Sequence, residues 1–154
     1  MNTKKIHDLL ENKEFVSVAS CDFNGRPNVA PKFFLKLEHD CLYLIDYVLG
    51  ATFANLKINP RVSISIMDKE ALTGYQLNGH TQIIDSGSEY KKVEHELLQR
   101  EIDLSAKRII EGVVQGKAHE NFELAMSDKF VIFKIKIEET VEIGHRGILK
   151  RETL

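Results

Sequence analysis

The side chains able to do chemistry are scattered along this 154-residue chain. His7, His39, His80, His95, His119 and His145 fall in helices, turns and strand ends, and none stands at metal-ligand spacing from a cysteine or another histidine. No metal site is therefore read. Cys21 and Cys41 form no C-x-x-C and read as small buried thiols. Dinucleotide, phosphate-loop, zincin and nucleophile-elbow motifs do not occur. No hydrolase triad can be assembled, so catalysis would need a bound cofactor to carry the chemistry. One stretch has a binding character. Gly50-Ala51-Thr52 stands at the start of a helical pattern running to Ile58. A helix start offers free N–H groups and a positive dipole end, small side chains let a phosphate approach, and a threonine hydroxyl can donate. Taken alone, Gly50 and Thr52 are equally ordinary helix-start residues.

The elements around that stretch are mostly short strands. Residues 3–12 predict a helix through Ile6, Leu9 and Leu10. A strand at 15–21 leads into Asp22-Phe23-Asn24-Gly25-Arg26-Pro27, where Asn-Gly signals a hairpin. The return strand spans about 28–37, a turn follows at Glu38-His39-Asp40, and a third strand covers 41–46. The helix at 52–58 stops at Asn59-Pro60, because a residue before proline avoids the helical region. Val62, Ile64 and Ile66 alternate with serines in the next strand. Another strand covers 73–85, interrupted at Gly79. A helix at 88–101 capped by Ser88, a second from Ser105 to a stop at Gly116, and a further turn or two at 119–126 make a helical insert of about 86–126. Phe130–Ile137 is the clearest strand. Hairpin-linked strands, about six in all, with helices at the start, middle and insert predict a mainly β (β+α) fold: a single domain over 1–154, built as an antiparallel barrel or strongly curved sheet with peripheral helices.

Composition narrows the function classes. Hydrophobic residues make up 43% and charged residues 29%, which suits a globular chain and argues against disorder. Lysine and arginine number 21 against 23 acidic residues, a net charge of −2, so no nucleic-acid or membrane-surface partner is expected. No apolar run approaches bilayer length, and the N-terminus turns acidic before any apolar stretch, so no signal peptide is read. Unpaired cysteines point to a cytoplasmic protein.

In order, the chain reads: a hairpin with Gly25-Arg26-Pro27, a strand with Pro31-Lys32-Phe33-Phe34, a strand ending Leu44-Ile45-Asp46, then Gly50-Ala51-Thr52, then Asn55-Leu56-Lys57-Ile58-Asn59-Pro60-Arg61-Val62-Ser63-Ile64. This order resembles the pyridoxamine 5′-phosphate oxidase-like, FMN-binding split-barrel family. The resemblance implies FMN as cofactor and a homodimer with the flavin at the subunit interface. It implies that the turn Gly50, Ala51, Thr52 with Asn55 meets the phosphate. Pro31, Lys32, Phe33, Phe34, Ile45, Asp46 and Tyr47 would meet the ring and ribityl chain, and Gln76, or Tyr75, would complete the partner's site. Many members carry Arg-Lys where this chain has Ala51-Thr52, so the phosphate's positive charge would have to come from Lys32, Arg26 or Lys57, with Lys32 the expected source. The Trp-containing C-terminal segment of the vitamin oxidase is missing, since the chain has no tryptophan. The resemblance thus implies a flavin fold acting on a small-molecule electron donor and acceptor, not the vitamin reaction. It leaves open a non-catalytic electron-transfer or flavin-storage protein, a deazaflavin-dependent reductase, and a barrel that has lost its flavin. No residue presents itself as a general acid or base.

Overall fold

The computed structural model describes residues 3–115 and 129–154. Its elements are α1 (Thr3–Glu11), β1 (Phe15–Cys21), β2 (Pro27–Glu38), β3 (Cys41–Asp46), α2 (Ala51–Ile58), β4 (Arg61–Asp68), β5 (Thr73–Ile84), α3 (Gly87–Val114), β6 (Val131–Ile143) and β7 (Leu149–Thr153). The chain separates into two compact units, one of residues 1–84 with 130–154 and one of residues 85–129.

The first unit is the barrel. Its strands run β3-β2-β1-β4-β5-β6, and β3 pairs again with β6, so six antiparallel strands close on themselves as expected. Along one edge β6 pairs with β5. Its other edge is shared, first by β3 over Val131–Lys136 and then by β7 over Glu139–Ile143. The inward rows are apolar because the strands alternate: Val18, Ile64, Leu77, Leu42, Leu44, Phe133, Ile135 and Ile137 are all fully buried, and Ile6 and Leu10 of α1 join the same cluster. Each such side chain contributes roughly 1.5–3 kcal/mol through burial.

Local chemistry sets the bends. Between β1 and β2 the Asp22 carboxylate accepts from the backbone N–H of Asn24 and of Arg26, both at 2.8 Å. Gly25 alone takes the left-handed conformation there, at φ +77°. The expected hairpin forms, as a five-residue loop organised by Asp22 in which Gly25, and not Asn24, takes the positive φ. The interruption expected at Gly79 is a β-bulge, where the β5–β6 register shifts between Asn78 and Gly79. A Cβ at Gly79 would run into the Lys136 carbonyl, so only glycine fits.

The second unit contains α3. The two helices expected around a Ser105 cap are one helix of 28 residues, since nothing between Glu101 and Ser105 breaks the pattern. Its N-cap is Ser86 and not Ser88, and Gly112 is tolerated inside it. Val93 and Leu97 are buried, while Ile102, Ile109, Ile110 and Val113 are exposed. The stop expected at Gly116 and the turn expected at 119–126 lie outside the described residues. No described helix is long and apolar enough to cross a membrane.

Candidate functional site

Register brings distant residues together on the outer wall of the barrel. Ser17 of β1 pairs with Pro31 of β2 on one side and Ser65 of β4 on the other, and Ser65 pairs with Gln76 of β5. The next row of the same wall is Val29, Ala19, Ser63 and Asn78. Strands about 4.8 Å apart make these rows a floor about 14 Å wide. The floor is low because its central side chains are serines and an alanine. Gln76 is held down by a 3.0 Å hydrogen bond from its Nε2 to Ser63 Oγ. Val29, Pro31, Ser17 and Ser65 are exposed. The two expected positions Pro31 and Gln76 thus fall on one lateral row, whereas Tyr75 points into the core.

Aromatic rings stand beside this floor. Phe33 meets Phe15 edge-on with centroids 5.8 Å apart and Tyr47 at 6.5 Å, and Tyr47 meets Phe130 at 6.1 Å. Phe15 remains half exposed. Ile45 is Phe33's cross-strand partner and is buried. Phe34, by contrast, belongs to the barrel core.

The start of α2 has its own polar support. Gly50 is the N-cap and no side chain caps the helix. Thr52 is 1% exposed and its hydroxyl accepts from Asn28 Nδ2 at 3.0 Å. Asn28 Nδ2 also lies 3.4 Å from Ser20 Oγ, and Asn55 Nδ2 donates to that oxygen at 3.2 Å. Thr52 therefore faces β1 and β2, leaving small Ala51 outermost in the turn. Both hydroxyls accept amide hydrogens and keep their own protons to give.

Lys32 and Asp46 are a buried ion pair. Lys32 Nζ donates to Asp46 Oδ1 at 2.7 Å, with the residues 6% and 1% exposed. The same Oδ1 accepts from the backbone N–H of Val48 at 3.1 Å. Oδ2 is buried and has no hydrogen-bond partner. The lysine expected to serve a phosphate is thus held by a carboxylate.

At its far end the floor opens into a cleft of about 570 Å³ lined by Ala19, Cys21, Arg61, Ser63, Asn78 and Glu139 among others. The hydrogen bond from Asn78 and the bond and charge of Arg151 hold the Glu139 carboxyl below its usual range, against a smaller opposing effect of desolvation. Burial and Asp40 push the Cys41 thiol up, so it resists ionisation. On α1, His7, Asp8 and Glu11 bring one possible metal-ligand atom each within 4.8 Å of one another in a partly exposed grouping.

Sequence reasoning missed Ser17, Ser63, Ser65 and Asn78 of the floor, and Ser20 and Asn28 beneath α2. The serines alternating with Val62, Ile64 and Ile66 were the available signal.

The family model described as pyridoxamine 5′-phosphate oxidase matches residues 2–143. Among solved structures, a Clostridium acetobutylicum protein related to general stress protein 26 of B. subtilis aligns with a TM-score of 0.66 and 14% identity, covering 98% of this chain and 93% of that one. A pyridoxamine 5′-phosphate oxidase-related, FMN-binding protein of Nostoc punctiforme aligns at 0.60 and 12%, covering 99% and 94%. HupZ of Group A Streptococcus aligns at 0.62 and 21%, covering 95% of each chain. No curated protein matches. At such identities the structures speak to the fold, and the sequence match over nearly the whole chain decides the family: this protein belongs to the pyridoxamine 5′-phosphate oxidase family.

Proposed function

We propose that the protein binds FMN and works as a homodimeric oxidoreductase. The observation that carries this reading is the flat outer floor of Pro31, Ser17, Ser65 and Gln76, close in the sheet to the Phe33–Tyr47 aromatics. A planar tricyclic ring needs a wall without protruding side chains and an apolar margin, and this surface supplies both. The ring's second face then needs cover, which a second copy of the chain would provide.

The residues present fit the cofactor at its phosphate end too. The uncapped start of α2 offers backbone N–H groups of its first turn beside small Ala51. The hydroxyls of Thr52 and Ser20, fixed by Asn28 and Asn55, reinforce the donor character of that corner. This corner is built from dipoles, with Lys32 engaged elsewhere.

Bound FMN would supply two-electron, hydride-accepting chemistry. The chain's own residues bind and orient. The serine floor would set the ring's plane, the Gln76 amide, held down against Ser63, would close one end of the row, and the aromatic margin would exclude water. The small-molecule donor and acceptor would approach over the half-exposed side near Phe15.

The test is direct. Purified protein should show flavin absorbance, or gain it on titration with FMN, and should sediment as a dimer. Turnover of NADH or NADPH with artificial acceptors would follow. A colourless protein that takes up no FMN refutes the reading, uptake of a deazaflavin in its place moves the protein to the reductase alternative, and bound FMN without turnover leaves a carrier.

A further inference from the structure

Lys32 is the one buried lysine among the described residues, and burying a lysine is costly unless its charge is used. It lies 2.7 Å from Asp46, and the same carboxylate oxygen takes the Val48 N–H at 3.1 Å. Val48 opens a turn with an unusual backbone. Leu49 sits in the left-handed region at φ +50°, which costs energy for a leucine, and Val48 is 79% exposed. That turn contains no regular secondary structure and ends at Gly50, the N-cap of α2. Asp46 is therefore the strap on a strained turn, and Lys32 holds the strap.

We propose that Lys32 and Asp46 form a positioning device for the anion corner: the pair locks the 47–50 turn so that the first-turn N–H groups of α2 converge, and Lys32 acts through Asp46 without touching the phosphate. This rests on the FMN reading above. It also explains how a turn carrying Ala51-Thr52 manages without cations. The charge is spent inside the barrel to fix the geometry of dipoles outside it. An ion pair this deeply buried favours one conformation because separating the charges would strand each of them unsolvated. Coupling to the turn runs through one bond, Asp46 Oδ1 to Val48 N–H, so the two residues should behave as a unit.

Three variants separate positioning from direct contact: Asp46→Leu, Asp46→Asn, and the double Lys32→Met/Asp46→Leu variant, which replaces the pair with apolar side chains and so leaves no buried charge unpaired. FMN and riboflavin affinities are read by flavin fluorescence quenching, and Val48 amide exchange is read by NMR in the flavin-free protein. The expected result is that Asp46→Leu and the double variant each weaken FMN by about tenfold while riboflavin, which lacks the phosphate, shifts less than about threefold. Asp46→Asn, which keeps an acceptor for Val48, should recover part of the loss. Val48 amide protection should fall by a similar factor in Asp46→Leu. The proposal is overturned if Asp46→Leu binds FMN more tightly, since a freed lysine would then be reaching the phosphate. It is equally overturned if the double variant matches the wild type, or if Val48 protection is unmoved. Should the wild type bind no FMN, the flavin reading fails while the exchange experiment still decides whether the pair holds the turn.

Discussion

Replacing Gly79 with alanine should be among the most damaging small substitutions in the barrel. The added methyl would collide with the carbonyl oxygen and carbon of Lys136 and crowd the Cα of Ile137, all backbone atoms of β6. No side chain can swing aside, so the two strands must part. Overpacking of this kind costs about 1–3 kcal/mol, and an all-backbone clash in the most extensively paired ladder belongs near the top of that range. For a chain of this size each kcal/mol lowers Tm by about 2–4 °C, which predicts a fall of about 6–12 °C. Gly74→Ala is the internal control. It lies on the same strand, and its Cβ would meet only the Ile66 carbonyl at 3.7 Å and Ile143 at 3.8 Å, ordinary contacts. Relief of glycine's excess chain entropy should then leave Gly74→Ala neutral or up to about 1 kcal/mol more stable. Thermal melts followed by circular dichroism compare the two. A Gly79→Ala protein melting within about 2 °C of the wild type would refute the close-approach argument, since that shift corresponds to only about 0.5–1 kcal/mol.

Ser65→Trp puts a large ring on the proposed flavin floor at an exposed position. It should abolish FMN uptake in a fluorescence titration while moving stability by no more than about 0.5 kcal/mol. Thr52→Asp adds a carboxylate at the anion corner and should weaken FMN more than about tenfold by like-charge repulsion, with riboflavin as the insensitive control. The pH dependence of folding should carry the mark of Glu139. Its folded-state carboxyl is held low chiefly by the Asn78 hydrogen bond and also by Arg151, so it adds stability above the ordinary carboxylate range that is lost as pH falls through the lowered value. Melts from pH 6 down to pH 3 should therefore show a shallower acid slope for Glu139→Gln than for the wild type.

Period-two patterning made much of the barrel legible. Val62, Ile64 and Ile66, and Val131, Phe133 and Ile135, announce strands with one buried face, and both strands form. The last strand carried no such mark, because all five residues of β7 are exposed and nothing alternates. Helix α3 was read as broken because Ser105 is a good cap, but a cap residue interrupts a helix only where the chain also turns. The site was legible in pieces. Gly50-Ala51-Thr52 does open a helix, yet the amide holding Thr52 comes from Asn28, 24 residues earlier, and pattern cannot reveal that pairing. The floor depends on register across four strands. The pairing of Lys32 with Asp46 was not legible because the two lie across a strand pair, and nothing along the sequence marks a lysine that points inward.

The division of one β6 edge between β3 and β7 separates closure from ornament. The seam of the cylinder is finished by Val131–Lys136, before the terminal ribbon begins to pair. Changes to that ribbon therefore need not reopen the cylinder, whereas a single-residue insertion within Val131–Lys136 would turn the following seam residues inside out unless a bulge absorbed it.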